Sequence, residues 1–194
     1  MSILEKIYAR AQERNARVVF PELDDPRVAK AAARLQADGL CRPMPLTDIC
    51  HDQIEVLTKA RGMKEAIARR LLAKPLYRAA AMVAAGQADA MVAGADSATK
   101  RVIEAASIAI GLDPKIKTPS SFFLMLFPDG RSFIFADCAV NVAPTQEELV
   151  DIACATAASA QGLLGAPRVA LLSYSTADSG QGPSVDLTRG AANA

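Results

Sequence analysis

Apolar residues recur along this chain at two periods, and their alternation sets out a series of helices and strands. From residue 3 to 14, Ile3, Ile7, Tyr8 and Ala11 fall at helical spacing and predict a short amphipathic helix. The β-branched run from Arg17 to Phe20, closed by Pro21, predicts a strand. Asp24, Asp25 and Pro26 read as a helix start, and Val28, Ala31, Ala32 and Leu35 carry the helical period to a stop at Gly39. In residues 41–51, CRPMPLTDICH, two prolines exclude a helix and argue against a central strand. Residues 52–85 read as helices broken at Gly62 and at Lys74-Pro75, with Gly86 as a C-cap. A second strand is expected over 89–94 and a further helix over about 97–110.

The pattern then changes. SSFFLMLF, the turn Pro128-Asp129-Gly130 and SFIFAD predict a β-hairpin. Thr145 and Glu148 form a capping-box pair at the start of a helix reaching about Leu164. An apolar run at 168–172 is expected to be the next strand. Strands alternating with helices imply a mostly parallel sheet with helices on both faces, to which the hairpin adds an antiparallel element.

The 168–172 run ends abruptly in SYSTADSGQG. Ligands in open α/β sheets bind beyond the carboxyl ends of strands. Hydroxyls and free backbone N–H groups donate to phosphate oxygens, and glycines permit close approach. A helix starting near Ser184 would add its positive end. Two readings are open: an anion pocket, or a surface loop rich in turn formers. Neither a GxGxxG nor a GxxxxGK[ST] pattern occurs, so the ordinary nucleotide loops are excluded.

Composition adds limits. With 22 Lys and Arg against 21 Asp and Glu in 194 residues, bulk charge predicts no nucleic-acid or membrane partner. The charged N-terminus lacks the apolar core of a signal peptide, and no apolar run reaches membrane-spanning length, so a cytoplasmic protein is expected. Cys41, Cys50, Cys138 and Cys154 show no CxxC spacing and only one His is present, so no metal site is expected. The four are read as reduced, mostly buried thiols.

Six segments in order carry a resemblance: RVVFPE at 17–22, the GQADAMVAGA strand, the SSFFLM hairpin, FADCAVN at 135–141, the PTQEEL helix and the SYSTADSG loop. Together they resemble the phosphate acetyltransferase / phosphate butyryltransferase family, with the acetyltransferase branch the nearer match. The resemblance implies a three-layer αβα fold of the isocitrate/isopropylmalate dehydrogenase type, with a mixed, mostly parallel sheet. It implies a first α/β domain over 1–140 and the beginning of a second over 141–194. It also implies a homodimer that moves an acetyl group between coenzyme A, a substrate rather than a cofactor, and inorganic phosphate. Ser173, Ser175, Thr176, Ser179 and Gly180 are the expected substrate-binding residues of one cleft wall. Ser120 and Ser121 are expected to face them, or else simply to begin a strand. Butyryl transfer, or a non-catalytic binding or oligomerisation domain, are the alternatives.

The family pattern is not followed throughout. Residues 186–190, DLTRG, resemble a D-L-S-R-G segment that the family's C-terminal portion supplies ahead of a catalytic acidic residue. They match equally, without gaps, the helix that normally follows the loop, which is the preferred reading. On either reading the family's catalytic acid has no counterpart, so no catalytic residue is assigned. The region near 41–51 looks shortened. Glu104, three residues after Arg101, stands where many members have an Arg; a second family Arg aligns near Thr58, with Lys59 and Arg61 beside it, and these cations could substitute. Cys138 is read as structural, because the lone His51 cannot be placed beside it as a base.

Overall fold

In the computed structural model, which describes residues 2–177 and 179–194, the chain divides into two compact units, Glu5–Gly111 and residues 1–4 with 112–194. The domain boundary expected at 140/141 falls inside the second unit.

The first unit is built on a three-stranded parallel sheet. Strand β1 (Arg17–Val19) lies between β2 (Arg42–Met44) and β3 (Ala90–Met91). Val18 is in register with both Pro43 and Ala90. Pro43, which has no N–H to give, sits on the edge strand β2, where the sheet tolerates it. Arg17 fixes the start of β1 against β3 through a two-pronged pair with Asp89, at 2.7 Å from Nη2 to Oδ1.

Six helices accompany this sheet: α1 (Ile3–Arg14), α2 (Pro26–Ala37), α3 (His51–Arg61), α4 (Glu65–Leu72), α5 (Pro75–Ala84) and α6 (Thr99–Ala109). The breaks fall at Gly62, which adopts φ +61°, and at Pro75 in the first turn of α5, as the sequence predicts. Helix α5 buries Ala79, Ala80, Ala81 and Met82 completely: Ala79 and Met82 pack with Val19 of β1, while Ala80 and Ala81 turn to the neighbouring helices, whose close approach their small side chains permit. Leu57 and Leu72 complete that core from α3 and α4. Helix α1 forms as expected but buries none of its residues.

The second unit holds the hairpin β4 (Phe122–Leu126) and β5 (Ser132–Ala136), and helices α7 (Gln146–Leu164) and α8 (Pro183–Asn193). The hairpin is antiparallel, with Leu124 opposite Ile134. The capping box of α7 closes on both sides: Glu148 N–H donates to Thr145 Oγ1 at 3.2 Å, and Thr145 N–H to Glu148 Oε2 at 2.8 Å. Among its described apolar residues only Ile152, Ala160, Val185 and Ala191 are buried.

The strand expected at 168–172 does not form. The segment runs past α7 without a partner, and strand character needs a neighbouring edge to hydrogen-bond. The cysteines are free thiols, but only Cys41 is buried; Cys154 is exposed.

Candidate functional site

The loop between Ser173 and Gly182 closes largely on itself. Ser175 Oγ accepts from Gly180 N–H at 2.8 Å and donates to the Ala177 carbonyl at 2.9 Å. Ser179 Oγ donates to the Thr176 carbonyl at 2.7 Å, and Tyr174 donates its hydroxyl proton to the Gln181 carbonyl. Ser173 Oγ accepts from Ser175 N–H at 3.2 Å. Asp178 lies outside the described residues.

Gly180 is required for this closure. A Cβ there would stand 2.8 Å from Ser175 Cβ and 2.9 Å from its Oγ. The loop leads straight into α8, whose Gly182 N-cap has φ +127° and offers no side-chain cap. The hydroxyls of Ser175 and Ser179 therefore shape the loop. Among the described residues no hydrogen bond uses the hydroxyl proton of Ser173 or Thr176, and both hydroxyls lie on the loop that leads into the positive end of α8.

Ser121 belongs to a different network. Its Oγ donates to Asp137 Oδ1 at 2.5 Å and accepts from Cys138 N–H at 3.2 Å and Ala139 N–H at 3.0 Å. One proton and two lone pairs are thus all engaged. Asp137 Oδ2 takes Asn141 N–H at 2.6 Å and Asn141 Nδ2 at 2.7 Å. Burial pushes the Asp137 carboxyl up, but the hydrogen bonds from Ser121 and Asn141 outweigh it and hold the pKa far below the usual carboxylate range. This cluster pins residues 137–141 beneath the hairpin. Ser120, half-buried, stands beside it. Among the described residues no hydrogen bond joins the Ser120–Ser121 pair to the 173–182 loop. The Cys138 thiol donates to the Phe135 carbonyl at 2.9 Å, a structural contact.

The first unit carries a second concave feature, which sequence reasoning did not single out. The chain leaves β1 for β2 on one side and β3 on the other, so the carboxyl ends of β1 and β3 flank a topological switch point. A cavity of about 600 Å³ opens there, lined by Glu22, Lys74, Tyr77, Ser97, Arg101 and Glu104 among others. Helices α5 and α6 both begin beside it without side-chain caps. Glu22 accepts N–H groups from Gly94 at 2.9 Å, Ala95 at 2.9 Å and Ser97 at 2.8 Å. Burial alone would raise its pKa; the hydrogen bonds from Ser97, Ala95 and Gly94 instead lower it to about 2. Burial and a hydrogen bond to Glu104 push the Tyr77 phenol up. The signal that could have located this site was the strand order, which propensity alone does not give.

Two of the three cations weighed as substitutes for the family arginines, the two beside Thr58, are already committed. Lys59 pairs with Glu55, and Arg61 donates to the Ser107 and Ile108 carbonyls at the end of α6, where a cation opposes the helix dipole. Arg101 remains on the cavity wall beside Glu104.

The model of the phosphate acetyl/butaryl transferase family matches residues 2–56 and 44–194. The chain belongs to that family. It is 36% identical over 213 residues to a phosphate acetyltransferase of Nitrosomonas europaea, covering 95% of this chain and 30% of the relative. It is 37% identical over 213 residues to that of Paracoccus denitrificans, covering 97% and 67%. A solved phosphotransacetylase of Streptococcus pyogenes superposes with TM-score 0.90 at 30% identity, over 98% of this chain and 67% of that one. This family member therefore spans between about a third and two thirds of the length of its relatives. Both alignments exceed its 194 residues, so the relatives hold positions with no counterpart here. The family match also breaks in two at residues 44–56, where β2 runs into α3, in keeping with the shortening expected near 41–51.

Proposed function

We propose that the protein transfers an acetyl group reversibly between coenzyme A and inorganic phosphate. The observation that carries this reading is the alignment of phosphate acetyltransferases across nearly the whole chain. The loop geometry supports it. A base takes the proton of the CoA thiol, and the thiolate attacks the carbonyl carbon of acetyl phosphate. As the C–S bond forms, the bond from that carbon to the bridging oxygen breaks, and phosphate leaves. The Ser173 and Thr176 hydroxyls and the start of α8 are the groups of this chain suited to hold the departing phosphate. Ser175, Ser179 and Gly180 hold the loop in shape. We assign Ser121 to supporting residues 137–141, with Ser120 as the residue of that pair free to meet substrate.

In the same proposal the protein is cytoplasmic, which suits four free thiols, and homodimeric, which suits the exposed apolar hairpin residues Phe123 and Phe135. Incubating the protein with acetyl phosphate and CoA, and with butyryl phosphate in parallel, tests the reading. Acetyl-CoA formed faster than butyryl-CoA is the expected result. Butyryl-CoA formed faster would move the protein to the butyryl branch, and neither product would make it a binding domain.

A further inference from the structure

We propose that Cys50 is a site of oxidation by hydroperoxides, its sulfur carried to a sulfenic acid whose hydroxyl bonds the side-chain oxygen of Gln53. The assignment does not depend on the acyl-transfer reading. Cys50 is half-buried and is the N-cap residue of α3, so its sulfur stands at the positive end of an 11-residue helix. Gln87, in the turn after α5, donates its amide N–H to that sulfur at 3.1 Å.

The neighbours fix the direction of this bond. Gln53 Nε2 spends both of its protons, on Thr47 Oγ1 and on Gln87 Oε1, each at 2.8 Å. The Gln87 oxygen is thereby turned to Gln53 and its nitrogen to Cys50, so the sulfur accepts. A sulfur that accepts is favoured as thiolate, the nucleophilic form. The Gln53 backbone N–H and the Gln87 amide hold the Cys50 thiol below its ordinary pKa, against the effect of burial.

Gln53 itself is completely buried, yet its Oε1 has no hydrogen-bond partner. The residue is the third of α3, the position from which a side chain reaches back over the helix start, and its bond to Thr47 shows that it does so. A buried carbonyl oxygen needs a donor, and a thiolate has none to give. A hydroxyl carried on the sulfur supplies one. In the reaction the thiol first releases its proton to water. The thiolate then attacks one oxygen of hydrogen peroxide. The S–O bond forms as the O–O bond breaks, the sulfur gives up two electrons to the peroxide, and the departing hydroxide takes up a proton to become water.

The other thiols are placed differently. Cys41 is buried, which pushes its pKa up, and Cys138 donates to the Phe135 carbonyl. Cys154 is exposed but stands in the middle of α7, away from its positive end. Access alone therefore selects Cys154, and the surroundings of the sulfur select Cys50.

The test exposes the full chain, reduced and then freed of reductant, to hydrogen peroxide with dimedone present, and follows the adduct at each cysteine by peptide mass spectrometry. Cys50 is expected to be labelled at least about fivefold faster than Cys154. Gln87→Met, with the fold checked by circular dichroism, removes the donor and slows labelling at Cys50 but not at Cys154. Gln53→Met removes the acceptor, so the Cys50 adduct obtained when dimedone is added only after the peroxide has been quenched falls. Labelling of Cys154 as fast as Cys50 overturns the proposal, whether or not the variants fold. So does a folded Gln87→Met protein with an unchanged rate at Cys50, or a folded Gln53→Met protein with an unchanged delayed yield.

Discussion

Glu22 shows how one side chain can hold a site open. Its carboxylate collects four backbone N–H groups, those of Gly94, Ala95, Asp96 and Ser97, from the loop after β3 and so ties that loop to the end of β1. Its folded pKa of about 2 lies below the ordinary value of 4.5. The stabilisation is therefore fully present above about pH 4.5 and is lost as pH falls toward 2. Glu22→Gln is expected to destabilise the first unit by roughly 1–2 kcal/mol at pH 7, less than the shift alone would give because the group is partly exposed. Urea denaturation at pH 7 and pH 3 checks this: the gap between wild type and variant narrows at the lower pH. The sequence announced Pro21 as a strand stop but said nothing of Glu22. Its partners lie more than seventy residues away, and no local pattern encodes them.

Among elements, those built on local rules were legible. The helix breaks at Gly62 and Pro75, the capping box of Thr145 and Glu148, and the hairpin turn at Pro128-Asp129-Gly130 all involve neighbours within a few residues. The 168–172 run was misread because its composition is that of a strand while its pairing depends on a remote edge. The 173–182 loop was placed correctly before a helix, while the bonds by which Ser175 and Ser179 close the loop on itself were not legible in its composition. Gly180 is the residue on which that closure turns. Gly180→Ala forces its Cβ against Ser175, so phosphate affinity, read by calorimetry, is expected to fall about tenfold while the thermal midpoint moves little. Unchanged phosphate affinity would separate the loop from the substrate.

Across the whole molecule the two units differ in how much they bury. The first encloses Val19, Leu57, Leu72 and Met82 completely. The second leaves Phe122, Phe123, Phe133 and Phe135 between 42% and 61% exposed. A hairpin that is apolar on both faces is a sheet meant to be covered on both. Hydrogen exchange on the dilute protein is expected to show protected amides in β1 and α5 and faster exchange in β4, β5 and α8. Uniform protection would contradict the uneven core.

The central claim is acyl transfer to phosphate, and the reverse reaction tests it most directly. Acetyl-CoA is supplied with increasing inorganic phosphate, and the free CoA thiol released is followed together with acetyl phosphate. The account predicts release that requires phosphate, saturates with it and yields one acetyl phosphate for each thiol. Release that proceeds equally well without phosphate, the mark of a thioesterase, would contradict it, as would a folded protein that releases none.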